Sequence, residues 1–137
     1  MFYKNDSLYD SKNYPDFASQ NTGSGLLKVQ VFIANQAFPL KDVDITIYKD
    51  IDGKRVIFYE GVTDSSGIID NISLPTKEMK SDVESADDIV FTTYNITAKN
   101  INTNEIKDYT IYIFDDVKII QPIQFPIISS SFEGAGE

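Results

Sequence analysis

Asp64 and Asp70 stand with Thr63, Ser65, Ser66 and Gly67 in the stretch TDSSGIIDNISLP, residues 63–75. Oxygen donors so close together suit a calcium loop, and two carboxylates suit a general acid and base. A calcium loop of the helix-flanked kind needs D-x-[DN]-x-[DN]-G with a glutamate at the twelfth position. Neither this stretch nor the D-x-D-G of Asp50, Asp52 and Gly53 has that spacing. Both lie between strand-like segments, where Asp and Ser bond nearby amides and Gly takes the left-handed conformation. Asp64 and Gly67 are therefore read as a fold-defining turn, and no metal is assigned. The remaining carboxylate pairs, Asp87-Asp88 and Asp115-Asp116, have no spacing that sets two acids across a cleft. Asp115-Asp116 also falls between strands, where Asp is a favoured turn former.

The 137-residue chain contains no histidine and no cysteine. The commonest general base, the commonest transition-metal ligand and the thiolate nucleophile are all missing. Ser-His-Asp triads, zinc and copper cages and disulfides are excluded, so the sequence predicts neither an enzyme nor a cofactor. A formal charge of −9 argues against nucleic acid or an anionic membrane as partner. No apolar run reaches the roughly 18–20 residues that span a bilayer. The start, MFYKNDSLYDSKNYPDF, lacks the charged and apolar regions of a secretory signal. A Lys–Asn crosslink between strand-like segments is not expected either. Lys28 lies on the polar face of its strand, and VKIIQPIQFPI offers Gln121 and Gln124 in place of asparagine.

These side chains hang on strands. In LLKVQVFIA, Leu27, Val29, Val31 and Ile33 share one face; in VDITIYK, Val43, Ile45 and Ile47 do the same. Alternation with β-branched residues marks half-buried strands. Asp52-Gly53 joins VDITIYK to KRVIFYE as a hairpin. GIIDNIS, TTYNITAK, KDYTIYIF and VKIIQPIQFPI follow, the last an edge because Pro122 and Pro126 cannot donate to a ladder. The pattern predicts an all-β, about seven-stranded antiparallel two-sheet sandwich over residues 25–128. An extended arm, residues 1–24, precedes it and a tail, 129–137, follows. The acidic stretch 76–91 is read as a solvated connection. Five aromatics crowd the first seventeen residues: Phe2, Tyr3, Tyr9, Tyr14 and Phe17. A solvating tail is normally poor in aromatics. They are candidate assembly contacts, with Phe132 at the other end.

The order GLLKVQVFIANQAFPLKDVDITIY, TDSSGIIDNISLP, TYNITA resembles the carboxypeptidase regulatory-like family of transthyretin-like sandwiches. Pro39-Leu40, Val43, Thr63-Asp64, Gly67 and Leu74-Pro75 stand at the matching places. The closing residues 111–117, followed by Ile120-Gln121-Pro122, are similar to a bacterial branch. That branch occurs in small proteins of spore formers and at the N-termini of spore cortex-lytic enzymes. The resemblance implies an accessory, adhesive or structural module and carries over no active-site residue.

The expected function is a structural subunit of a spore-surface or appendage fibre or a phage-like particle. Its partners would be copies of itself or other subunits, joined through the aromatic arm and open sheet edges, with no small-molecule ligand. Deleting residues 1–20 should then abolish assembly while leaving the isolated domain folded. The alternatives are a carbohydrate- or peptidoglycan-binding module, with Tyr48, Tyr59 and Tyr112 on one sheet face, or a regulatory domain of a neighbouring enzyme.

Overall fold

The structure, a computed structural model, describes residues 6–33, 38–79 and 89–126. Two sheets face each other. The first has the order β1-β5-β4-β7-β8, built from β1 (Asp6–Leu8), β4 (Val43–Ile51), β5 (Lys54–Val62), β7 (Thr92–Asn100) and β8 (Ile106–Ile113). The second is centred on β2 (Gly23–Ile33), which pairs with β3 (Phe38–Pro39), β6 (Ile68–Thr76) and β9 (Lys118–Phe125).

Alternation decides what each strand buries. Leu27, Val29 and Val31 of β2, Leu74 of β6 and Phe125 of β9 meet Ile45 and Ile47 of β4, Tyr94 and Ile96 of β7, and Ile111 and Ile113 of β8 in one core. The turns follow their own chemistry: Asp52 (φ 52°) and Gly53 (φ 78°) close the β4–β5 hairpin in left-handed conformations. Pro122 sits opposite Gln30 in β9, which is paired to β2 alone among the described residues.

The described residues hold nine strands rather than about seven, and the sheets are mixed rather than antiparallel throughout. β9 runs parallel to β2 because the turn at Asp115-Asp116 carries the chain from the edge of one sheet into the other. Alternation reports burial and is blind to strand direction, so this pairing leaves no mark in the sequence. β2 begins at Gly23, inside the expected arm.

That arm is not simply extended. β1 adds to β5 in parallel, Asp6↔Arg55 to Leu8↔Ile57, and α1 (Pro15–Gln20) follows an exposed turn. Proline at the start of α1 suits a first helical turn, where its missing N–H costs nothing. Phe2, Tyr3, Phe132, Asp87, Asp88 and the middle of the acidic stretch (80–88) lie outside the described residues.

Candidate functional site

Each acidic residue of the opening stretch serves the backbone. The Asp64 carboxylate accepts from the Ser66 amide at 2.9 Å and from the Ser66 hydroxyl. These bonds hold its pKa below the ordinary carboxylate value. Gly67, at φ 70°, donates to the Asp64 carbonyl at 2.9 Å and accepts from the Val31 amide at 2.8 Å. The Thr63 hydroxyl donates to the Leu40 carbonyl and accepts from the Val43 amide, tying three segments together. Asp70 lies apart from Asp64 in function: Lys118 meets it at 2.7 Å and holds its carboxyl low. Asp115 accepts from the Ser24 and Met79 amides, both at 3.1 Å, and so fixes the crossing between the sheets. Asp64 and Asp115 are thus committed to a turn and a crossing, and Asp70 to an ion pair between β6 and β9.

The arm's aromatics come together against β5. Tyr9 stacks on Phe58 with ring centroids 4.4 Å apart, Phe17 packs on the same ring at 5.5 Å, and Phe58 meets Tyr94 edge-on at 4.8 Å. Tyr14 and Phe17 are buried in the core. As assembly contacts Tyr14 and Phe17 are therefore corrected: their rings already belong to the chain's own interior, where burial outweighs what an exposed arm would gain. The arm is sealed by polar bonds as well. Tyr14 donates to the Ser7 hydroxyl at 2.8 Å, the Asn21 amide group to the Phe17 carbonyl at 2.8 Å, and Thr92 to Asn21.

Tyr94 lies at the bottom of this cluster and donates its hydroxyl to the Pro75 carbonyl across the sandwich. Burial, and to a smaller degree Tyr9, pushes its pKa far above the ordinary 10.0. The folded state thus keeps a proton that the unfolded chain releases above pH 10, so stability from this group is full below that pH and falls as pH rises past it. Tyr94→Phe should cost about 1–2 kcal/mol at neutral pH through the stranded Pro75 carbonyl. The same variant should lose part of the alkaline decline, which thermal melts at stepped pH would read; a parallel decline would contradict the assignment.

A second half-buried group lies nearby. The Lys49 amine donates to the Thr93 carbonyl at 2.7 Å and its hydroxyl at 3.3 Å, 5.8 Å from the centre of the Tyr94 ring. Burial and Lys77 push its pKa down, while Asp50 pulls it up. It borders an open cleft of about 440 Å³ with Asn13, Asp16, Gln20 and Asp52.

The remaining candidates are surfaces. Tyr48 and Tyr59 do not form a platform for sugars. Tyr59 stands opposite Ile47, which is core, whereas Tyr48 stands opposite Ile57 on the outer face beneath the Arg55 guanidinium at 4.3 Å. On β8, Tyr112 projects outward and packs on Phe91 at 5.1 Å, with Phe114 at 5.7 Å from Phe91. Ile106 and Tyr112 are 55 % and 48 % exposed, on a strand that pairs only with β7 among the described residues. Of this patch the sequence singles out Tyr112 alone; the available signal was Ile106, an apolar residue on the alternating row that carries Asp108, Thr110 and Tyr112.

No family model matches this chain, and no curated protein does. Among solved structures it is similar to 5-hydroxyisourate hydrolase of Klebsiella pneumoniae, with 13% identity over 74% of this chain and 90% of that one and a TM-score of 0.49. It is also similar to transthyretin from Sparus aurata, with 14% identity over 72% and 90% and a TM-score of 0.43. The chain is an all-β sandwich, and these neighbours are transthyretin-like sandwiches. One of them is a hydrolase, which corrects the expectation that the chain is not an enzyme. A sandwich of this kind does not exclude catalysis, and the missing histidine and cysteine remove only the mechanisms that need them.

Proposed function

We propose that the chain is a subunit of a larger assembly, of the kind found on a spore surface, an appendage fibre or a phage-like particle, and that subunits add along open sheet edges. The observation that carries this reading is β8. Its outer edge has no partner strand among the described residues, and its solvent face bears Ile106, Tyr112 and the adjoining Phe91. Unpaired ladder groups beside exposed apolar side chains form a template for another strand. Among the described residues no helix is long and apolar enough to cross a membrane.

Charge opposes this association, because every copy carries −9. Screening by salt shortens that repulsion to about 8 Å at physiological ionic strength. Light scattering should therefore find the assembled fraction rising as salt increases. The double variant Ile106→Lys/Tyr112→Lys replaces two exposed residues at the cost of the Tyr112–Phe91 contact, so it should melt within about 5 °C of the parent while losing assembly. Undiminished assembly by this variant would overturn the β8 reading.

A further inference from the structure

The outer edge of β5 is already occupied, and its occupant is bound like a ligand. We propose that this edge accepts residues 6–9 of a second copy, so that neighbouring subunits exchange their β1 strands; the inference rests on the assembly reading above.

What the edge asks of its occupant can be read from the described strand that fills it. Asp6–Leu8 runs parallel to Arg55–Ile57, and the Tyr9 amide extends the ladder to the Ile57 carbonyl at 2.9 Å. The Asp6 carboxylate meets Arg55 at 3.6 Å with only 2% of its side chain exposed. Arg55 is the single arginine of the sequence, and in a chain of charge −9 it places a fixed cation where an acidic strand must dock. Three residues after that acid, Tyr9 lays its ring on Phe58. The occupant is thus an extended segment, acid first and aromatic fourth. A second copy of this chain supplies it by construction.

The tether permits the exchange. Residues 10–13, which join β1 to Tyr14 and α1, are all exposed and form a tight turn. It is held by the Asn13 and Tyr14 amides on the Asp10 carbonyl and by the Lys12 amide on the Asp10 carboxylate. Opened out, four residues span about 13 Å, enough to lift β1 off its own sheet. Exchange re-forms the ladder, the Asp6–Arg55 pair, the Tyr9–Phe58 stack and the Tyr14–Ser7 bond between copies. It gives up the solvent-facing bonds of the turn, which water replaces at small net cost, and the freedom lost when two copies associate. Strand exchange of this sort closes a dimer when reciprocal and propagates a chain when it is not.

The absence of native cysteine makes the test direct. One tagged variant carries Leu8→Cys, and a second, with a different tag, carries Ile57→Cys, the Cα partner of Leu8, so that the Asp6–Arg55 pair stays intact. The two are mixed, unfolded, refolded together and oxidised. The expected product is a disulfide-linked species bearing both tags. Its yield should be about tenfold above that of Leu8→Cys mixed with Asp108→Cys, since pairing raises the effective concentration of the two thiols. The double variant Leu8→Cys/Ile57→Cys shows that the register permits the bond. If it closes within single chains while the mixed single variants stay unlinked, the exchange is overturned. Assembly persisting in light scattering without the mixed product would overturn the exchange and leave the edge-joined assembly standing.

Discussion

Replacing Gly67 with valine should lower the unfolding free energy by about 4 kcal/mol and the melting midpoint by about 10–15 °C. Two costs combine at this position. At φ 70° the backbone is left-handed, a region that costs an L-residue about 1–2 kcal/mol and a β-branched one more. A Cβ there would also stand 2.4 Å from the Val31 carbonyl oxygen and 3.0 Å from the Leu40 amide nitrogen. Both are backbone atoms of β2 and the β3 connection, so neither rotates aside. The turn would have to move, and with it the bond from the Val31 amide to the Gly67 carbonyl that fastens the end of β2. Gly53 provides the control. Its φ is 78°, yet a Cβ would meet nothing within 4 Å. Gly53→Ala therefore measures the left-handed cost alone, and Gly67→Ala measures that cost plus the collision. Chemical denaturation of the two alanine variants should separate them by about 2 kcal/mol. Equal losses would remove the steric argument.

That turn was readable in advance because its causes are local. The bonds that shape the turn, from the Ser66 and Gly67 amides to Asp64, lie within three residues of one another, although the bond to Val31 does not. The alternating rows of β2, β4 and β7 depend only on side-chain period. The rest of the molecule was hidden for reasons that are not local. β1 is three residues long, too short to show a period, and its partner lies in β5, far along the chain. Phe58 belongs to the aromatic cluster because the β4–β5 register shifts between Ile47 and Tyr48, a bulge that breaks the alternation of KRVIFYE. Once the alternation fails, nothing in the sequence tells Phe58 from Tyr59 as the partner of the arm. The candidate edge of β8 was half legible: the strand was expected, but Phe91 reaches Tyr112 from a stretch with no pattern of its own.

Deleting residues 1–20 should cost about 4–6 kcal/mol, enough to bring many domains of this size close to unfolding. The sequence alone suggests the reverse, a dispensable arm on a self-sufficient sandwich. The difference lies in what the arm covers. Tyr14 and Phe17 are each only 9% exposed, and burying a large apolar side chain stabilises by about 1.5–3 kcal/mol. Their removal also uncovers Phe58 and the edge of the Tyr94 ring, and it strands Asn21, whose amide group caps Phe17 and whose oxygen accepts from Thr92. Phe17→Ala alone should cost about 3–4 kcal/mol, since the ring leaves a void between Phe58 and Tyr9. Melts followed by near-ultraviolet circular dichroism would read both variants, and a truncated chain melting within about 2 °C of the full one would overturn the reading. An arm deletion that abolished assembly would therefore carry no information about contacts between subunits, because the subunit itself would be failing. Contacts between copies have to be tested where the arm's own packing is spared. The exposed side chains of β8 and the exposed Leu8 of β1 meet that condition, whereas Phe17 does not.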